Sequence, residues 1–469
     1  MKALYNKITK YSPIILLSIF ATLLYIVLLL KSQDNDMFFE IMSGRDILNG
    51  NFHTVSHLNN FPIVVQQWLY AVCLSLIDRF GRVGDVCWVL FQNAILYVVS
   101  YIFIKLKTND KKKALISPAF ILLFCHDYMI NIRPQIITMV MLITELIFIE
   151  LYKKKNSIKY LLPIFPLLIL YANFHQAVFL YSGFVMIPYL IQPKKPYIDW
   201  KLAAFTPFFM ACSLLTPYGL DGSLYIVRTF MSDSFKLVNI NELGPIGITS
   251  YPGIKLILVL AVTIVYTYLH KSNYFVNFYV FAISFLAFVN IRHVSILYLA
   301  VMFLICTIED FHLLNNKYVY YGLAAICMTL SLLFVSIAKD ISYRYGKVED
   351  AIEDKSAPIY NVAMDLGGWL EYNGCTHVTL DSRCEAFSEE ISGVPNVLEN
   401  YILLSRGHIL EDGNPVGLAS DEEVLDVIKD YKYVISLKMQ YVDNVLSRHS
   451  DEWDLIFENS KYNVYIQHE

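Results

Sequence analysis

Long apolar runs, separated by short polar segments, constrain the fold of this chain more than any other feature. The first run, residues 13–30, reads PIILLSIFATLLYIVLLL and has no small-residue cleavage site after it, so it predicts an uncleaved first membrane span. Ten further runs lie at 84–104, 114–126, 135–152, 160–172, 176–191, 202–216, 254–269, 274–290, 294–308 and 318–338. A soluble protein of 469 residues could not bury a composition that is 56% hydrophobic. The pattern therefore predicts a polytopic α-helical membrane protein with about eleven transmembrane helices.

Charge divides the chain near residue 340. Residues 1–339 hold 27 Lys and Arg against 16 Asp and Glu, a formal charge of +11, whereas residues 340–469 hold 10 against 25, a charge of −15. This shift predicts a transmembrane domain over 1–339 and a small soluble domain over 340–469. The negative charge of the soluble domain argues against binding to nucleic acid or to anionic lipid headgroups.

The lysines orient the predicted spans. With the N-terminus in the cytoplasm, the cytoplasmic segments are 1–12, 105–113, 153–159, 192–201, 270–273 and 309–317. They contain 17 of the Lys and Arg residues of the transmembrane domain, and the other 10 lie outside these short segments, as the positive-inside rule requires. The run at 61–77 is predicted to be an interfacial helix, because counting it as a span would place residues 105–113 outside. We therefore expect a multi-pass protein of the plasma (inner) membrane with an extracytoplasmic C-terminal domain.

The external segments carry the side chains that are suited to catalysis. Asp34 and Asp36 follow the first span directly, where a carboxylate can act as a general base on a substrate delivered from the membrane. If residues 36–48 form a helix, Asp36, Glu40 and Gly44 share one face of it. The alternative is a solvated helix start, at which Asp is favoured by the helix dipole. Candidate substrate-binding residues on the same side are Glu40, Gln67, Arg133, Gln135, Asn173, His175, Glu242, Arg292 and His293.

Arginines and histidines at the membrane edge have two interpretations. Guanidinium groups bind phosphate well, so Arg133 and Arg292 are suited to a lipid phosphate or pyrophosphate, although arginines in such places also extend towards lipid headgroups. No HxH or HExxH pattern accompanies the histidines, so no metal ligands are assigned, and a divalent cation is the one cofactor left open. Cys375 and Cys384 are the one pair of cysteines that could form a disulfide.

The soluble domain reads as a small α/β domain with a closing hairpin. Strands are predicted at 376–381, 432–437, 453–459 and 462–467, and helices at 421–431 and 441–449. Asp381 and Arg383 follow the first predicted strand directly. They form either a ligand-facing loop or an ion pair that ends the strand.

Several short segments, in their order along the chain, resemble a known family. DNDMFFEIMSGRDILNG is similar to the D-x-D-x-W-W-H-L-x-x-G stretch of bacterial GT-C-like membrane glycosyltransferases, akin to the family 39 and RgtA/B/C/D-like group. The segments QQWLY, IRPQ, YANFHQ, TPYG, NELGP, IRH, GGWLEY and VTLDSR follow in that group's order. The resemblance implies a GT-C fold with the catalytic acid in the first external loop, where Asp36 matches the second Asp and Asp34 the first. Glu40 replaces the usual His, and Gln67 replaces an acid.

What the resemblance implies is an inverting glycosyltransferase. It would move a sugar from a polyprenyl-phosphate-linked donor, held in the membrane lipid, to an envelope glycan, lipid or protein acceptor on the outer face. Asp36 would deprotonate or orient the acceptor hydroxyl, and Arg133 or Arg292 would stabilise the departing phosphate. The alternatives are a glycan polymerase or ligase, a non-catalytic subunit bound to envelope-assembly partner proteins, and a transporter. The sequence disfavours the transporter, because Glu145 and Glu150 have few ionisable companions within the spans.

Overall fold

The computed structural model describes residues 16–27, 36–191, 197–232, 244–270, 274–308, 317–335, 345, 347–411 and 414–468. Asp34, Glu242 and both ends of the first apolar run lie outside these residues. The first helix, α1, is therefore described over Leu16–Val27.

Helices form most of the N-terminal part of the chain. After α1 they are α2 (Asp36–Leu48), α3 (Trp68–Asp78), α4 (Gly81–Thr108), α5 (Lys111–Phe124), α6 (His126–Met129), α7 (Gln135–Lys155), α8 (Ile164–His175), α9 (Leu180–Leu190), α10 (Trp200–Ala211), α11 (Gly219–Met231), α12 (Tyr251–His270), α13 (Tyr274–Val289), α14 (Leu297–Thr307) and α15 (Lys317–Val335). Each of the ten later apolar runs forms a helix. Polar residues set the boundaries: Asp110 accepts hydrogen bonds from two backbone amides at the start of α5, and Asn109 ends α4 in the left-handed conformation.

The predicted number of eleven spans is not confirmed. Four described helical stretches are long and apolar enough to cross a membrane, namely α4, α7, Ile158–Val178 and α12. A fifth is added if Trp200–Leu214 and Gly219–Thr229, which meet at 101°, form one broken span. Other apolar runs give helices with only 10–17 described residues, among them α9 and α13, which is fewer than the roughly 20 residues that a span needs.

The segment predicted to be an interfacial helix over 61–77 begins differently. Strand β1 (Thr54–Val55) pairs antiparallel with β2 (Phe61–Pro62), and the helix α3 starts only at Trp68. Helix α3 packs across α2 at Gly44, where an added Cβ would overlap the carbonyl oxygen of Ala71. The glycine of the predicted helical face is thus the point at which the two helices touch.

The C-terminal part is an α/β domain. Its strands are β3 (Ile359–Asn361), β4 (His408–Glu411), β5 (Asn414–Leu418), β6 (Tyr433–Leu437), β7 (Trp453–Glu458) and β8 (Tyr462–Gln467). Its helices are α16 (Met364–Tyr372), α17 (Glu389–Ser392), α18 (Val397–Arg406), α19 (Asp421–Ile428) and α20 (Tyr441–Leu446). The main sheet has the order β3-β6-β8-β7, with β3 parallel to β6 and the other pairs antiparallel, whereas β4 and β5 form a separate hairpin. The predicted closing hairpin is confirmed as β7 and β8.

The strand predicted at 376–381 is wrong. Only two residues of this segment make bridges: His377 pairs with Leu58 of the N-terminal part, and Val378 pairs with Ile359. Further along, the side chain of Asn361 takes the place of a strand partner. It donates to the carbonyl oxygen of Leu380 at 2.6 Å and accepts from the amide of Leu380 at 3.0 Å. The segment therefore links the two parts of the chain and does not extend the sheet.

Two adjacent glycines bring α16 against α2. A Cβ at Gly367 would overlap the carbonyl oxygen of Leu380, and a Cβ at Gly368 would lie 2.9 Å from the backbone nitrogen of Phe39. Next to them, the rings of Phe38 and Trp369 pack edge to face at 4.8 Å. The GGWLEY segment thus packs the C-terminal domain against α2.

Candidate functional site

Asp36 is the first residue of α2 and is bound by an arginine from the segment before α7. One Oδ of Asp36 lies 2.7 Å from the guanidinium of Arg133, which precedes Pro134 at the start of α7. The side chains of Asp36 and Arg133 are 28% and 22% exposed, so the pair is open to a ligand. An acid in the first turn of a helix is also stabilised by the helix dipole.

Glu40 lies one turn further along α2 and is 3% exposed. Its Oε1 accepts a hydrogen bond from Nε2 of Gln67, whereas its Oε2 is buried without a hydrogen-bond partner among the described residues. Burial raises the pKa of Glu40 from its ordinary 4.5 to about 8, against the opposing effect of Gln67. At neutral pH the side chain is therefore mainly a neutral carboxylic acid.

Arg383 reaches this site from the C-terminal domain. Its Nε donates to Asp381 at 2.8 Å, and its NH1 donates to Oγ of Ser43 on α2 at 2.8 Å. Its guanidinium also lies 4.9 Å from the ring centre of Phe39. Burial disfavours the charge of Arg383, but the carboxylate of Asp381 prevails and raises its pKa, so the guanidinium stays positive. The ion pair between Asp381 and Arg383, one of the two interpretations of this segment, is therefore present, and Arg383 also binds α2.

Behind Arg383 lies a second buried acid, Glu371 of α16. Both of its carboxyl oxygens are buried and have no hydrogen-bond partner among the described residues. Burial, followed by the nearby charge of Asp381, raises the pKa of Glu371 well above its ordinary value. Glu371 therefore holds its proton more tightly than an exposed glutamate, and Asp381 is the acid that forms the ion pair with Arg383.

A cleft opens between α2 and the C-terminal domain. Its empty volume is about 320 Å³, including the open mouth. The lining residues are Phe39 and Ser43 of α2, residues 63–67, Tyr225 of α11, Arg383 and Glu385. The cleft therefore combines two aromatic rings with a guanidinium, a carboxylate and amide groups.

The other predicted binding residues lie around the ends of α7 and α8. Asn173 has a structural role, because its Oδ1 accepts from the indole nitrogen of Trp68 at 2.8 Å and its Nδ2 donates to the carbonyl oxygen of Leu215 at 2.9 Å. His175 shares a hydrogen bond of 2.7 Å with Thr138 of α7. Gln135, the first residue of α7, keeps a buried Oε1 that no described residue binds.

Arg292 connects these residues to the cleft. Its charge acts on the imidazoles of His175 and His293 and on the phenol of Tyr225. The charge of Arg383 acts on Tyr225 as well. His293 is held by a hydrogen bond of 2.5 Å to the hydroxyl of Tyr181. The predicted residues that the structure describes thus form two groups, and charges from both sets of surroundings, Arg383 and Arg292, act on Tyr225.

Sequence reasoning missed several lining residues. Ser43 and Phe39 lie on the same helix as Asp36, but their role depends on contact with Arg383, which is 340 positions from Ser43. Tyr225 lies beyond the bend at Gly219 and carries no local signal. Glu385 lies two residues after Arg383. The interpretation of the Asp381 segment as a ligand-facing loop could have identified Glu385 as a lining residue.

A divalent cation does not fit the described residues. Among them there is no group of three His, Cys, Asp or Glu side chains that could hold a metal. The charge of Asp36 is already balanced by Arg133, Glu40 is protonated, and Asp127 is paired with Lys255. We derive no catalytic step through a metal.

The disulfide that was considered for Cys375 and Cys384 is not formed, because both residues are free thiols.

No protein-family model and no curated protein sequence matches the chain. Solved structures do match. The oligosaccharyltransferase of Archaeoglobus fulgidus in its apo form has a TM-score of 0.55 at 11% identity, over 91% of this chain and 70% of that one. The same enzyme tethered to an acceptor peptide with the NVT sequon gives 0.56 at 11% identity, over 92% and 69%. The archaeal oligosaccharyltransferase AglB from the same organism, in complex with an inhibitory peptide and a dolichol-phosphate, gives 0.54 at 10% identity, over 92% and 70%.

This likeness shows the fold. The chain has a fold of the GT-C type, as the resemblance predicted, with membrane-spanning helices followed by a sheet domain. The similarity does not single out the bacterial family 39 group.

Proposed function

We propose that this protein is a membrane glycosyltransferase that moves a sugar from a polyprenyl-phosphate-linked donor to an envelope glycan, lipid or protein acceptor. The reaction would take place on the outer face of the plasma membrane. The observation that carries the proposal is the position of Asp36 in a fold of the GT-C type: it is paired with Arg133 and lies one turn of α2 before Phe39, which lines the cleft. The order of motifs shared with family 39 supports the choice of donor.

Asp36 is the group of this site suited to accept a proton, because its neighbour Glu40 already holds one at neutral pH. In the proposed step Asp36 takes the proton of the acceptor hydroxyl, and the acceptor oxygen forms a bond to the anomeric carbon of the sugar. The bond from that carbon to the phosphate oxygen breaks, and its electron pair leaves with the polyprenyl phosphate. Direct displacement of this kind inverts the anomeric centre.

Two arginines are placed to receive the departing phosphate. Arg133 lies against Asp36, and Arg292 lies by the imidazoles of His175 and His293. A guanidinium offers a planar set of donors to phosphate oxygens and stabilises the charge that develops on them. The archaeal neighbour is described in complex with a dolichol-phosphate, which supports a lipid-linked phosphate as the carrier of the donor sugar.

The test is sugar transfer by the purified protein in lipid nanodiscs, with a panel of polyprenyl-phosphate-linked sugars. Asp36→Asn keeps the shape of the side chain and removes its basicity, so we expect transfer to fall by roughly 100-fold to 10,000-fold. Asp221→Asn is the matched control. Asp221 also lies in the first turn of a helix and also binds an arginine, Arg228 at 2.9 Å, but it is 68% exposed. Unchanged transfer by the Asp36 variant would refute the assignment.

A non-catalytic subunit is the second candidate, and one observation favours it. Glu40 is protonated and Gln67 is neutral, so Asp36 is the one ionised acid within this trio. A subunit would show no transfer with any donor of the panel and would purify with one stoichiometric envelope-assembly partner. A glycan polymerase or ligase would use the same cleft and would differ only in the length of the acceptor chain.

A further inference from the structure

The walls of the cleft between α2 and the C-terminal domain have a mixed chemistry. Glu385 contributes hydrogen-bond acceptors, Arg383 contributes donors, and the amide of Gln67 contributes both. The rings of Phe39 and Tyr225 add apolar surface. Sugar hydroxyls donate and accept hydrogen bonds at once, and the C–H faces of a sugar ring are apolar. A sugar therefore matches each part of this lining.

The charge of the cleft disfavours an anion. The guanidinium of Arg383 is already bound by the buried carboxylate of Asp381, and Glu385 adds a further negative charge to the wall. A phosphate here would meet that carboxylate in a partly enclosed place, where like charges repel strongly. The side of Arg292, next to two imidazoles, suits a phosphate better.

The position of the cleft fits an acceptor. The volume of about 320 Å³ includes the open mouth, so the cleft is an open groove along which a ring could lie. Asp36 lies one turn of α2 before Phe39. Its charge also acts on Cys384, which separates Arg383 from Glu385. The cleft is thus next to the proposed base.

We propose that this cleft binds the acceptor, and that the part of the acceptor held there is a neutral sugar with adjacent hydroxyl groups. Glu385 accepts hydrogen bonds from the hydroxyls, Arg383 donates to them, and Tyr225 packs against the ring. The proposal rests on the proposed function and names the acceptor class of the same site. The archaeal neighbour, by contrast, is described with an acceptor peptide.

The test is binding of neutral methyl glycosides to the full-length protein in nanodiscs, followed by saturation-transfer NMR. The probes are methyl glycosides of common neutral hexoses and of N-acetylhexosamines, with inorganic phosphate as the anionic probe. We expect at least one glycoside to bind, and Glu385→Gln to weaken that binding about tenfold, since a charged hydrogen-bond acceptor is lost. Glu389→Gln is the matched control. It removes an exposed carboxylate four residues away and should leave the affinity unchanged.

The sign of the effect separates the two ligand classes. If the cleft held a phosphate, Glu385→Gln would remove a repelling charge and would strengthen the binding of inorganic phosphate. That result, or the failure of every glycoside to bind, would overturn the proposal, as would equal affinities for the wild type and the Glu385 variant. Asp36→Asn should still bind the glycoside, because the cleft is intact in it. Transfer that depends on Asp36 without glycoside binding would reject the acceptor class and leave the proposed function standing.

Discussion

Glu40→Gln should make the stability of this protein less sensitive to pH. Glu40 of α2 is buried beside Gln67, and its folded-state pKa of about 8 lies far above the ordinary 4.5. Glutamine has nearly the same shape, keeps an oxygen for the hydrogen bond from Gln67 and does not titrate. The substitution therefore removes the proton equilibrium and preserves the packing.

The magnitude follows from the two pKa values. Below pH 4.5 the folded and unfolded chains both hold the proton, so burial of Glu40 has no pH-dependent cost. Between pH 4.5 and about 8 the unfolded chain releases the proton while the folded chain keeps it, and stability falls as the pH rises. At pH 7 the free energy of unfolding is lower by roughly 3 kcal/mol than it is below pH 4.5, as far as Glu40 is concerned. No reduction for solvent screening applies, because the side chain is 3% exposed.

The assay is the melting temperature of the purified protein in detergent, measured from pH 5 to pH 8. Other groups titrate in both proteins, so the informative quantity is the difference between Glu40→Gln and the wild type. We expect the melting temperature of the variant to rise relative to that of the wild type as the pH increases, by about several degrees between pH 5 and pH 8. The exposed Glu389→Gln should follow the wild type. Parallel curves for Glu40→Gln and the wild type would refute a protonated Glu40.

Two further substitutions test the contact between the C-terminal domain and α2. Gly368→Ala places a methyl group 2.9 Å from the backbone nitrogen of Phe39. It should destabilise the protein by about 1–3 kcal/mol and speed proteolysis at the domain contact. The control Gly322→Ala, in open space on α15, should do neither. Arg383→Met leaves Asp381 buried and unpaired, which should cost about 3–5 kcal/mol in thermal unfolding. Adding Asp381→Leu should recover much of that loss; if it does not, the ion pair is not the reason for the instability.

Periodicity and resemblance predicted much of this molecule. Apolar runs marked the helices because a membrane helix needs an unbroken apolar surface, and the i, i+4 spacing placed Asp36, Glu40 and Gly44 on one face of α2. The pairing of Asp36 with Arg133 agrees with the expectation that the external polar residues gather. These features depend on short stretches of sequence, so short stretches were enough to predict them.

The features that sequence did not reveal depend on contacts between distant segments. Nothing near Tyr225 or Glu385 indicates that they line one cleft, because α11 and the C-terminal domain meet only in the folded chain. The segment 376–381 has the composition of a strand, but the side chain of Asn361 occupies its backbone groups. The span count was uncertain for a similar reason, since bends and short helices depend on packing and not on hydropathy.

A cryo-electron microscopy structure of the protein in nanodiscs, with a polyprenyl-phosphate-linked sugar bound, tests the central claim most directly. We predict that the sugar lies at the edge of the cleft with its anomeric carbon beside Asp36, and that the phosphate contacts Arg292 or Arg133. Density for the donor on the opposite side of the membrane from the C-terminal domain, or away from α2, would contradict the account.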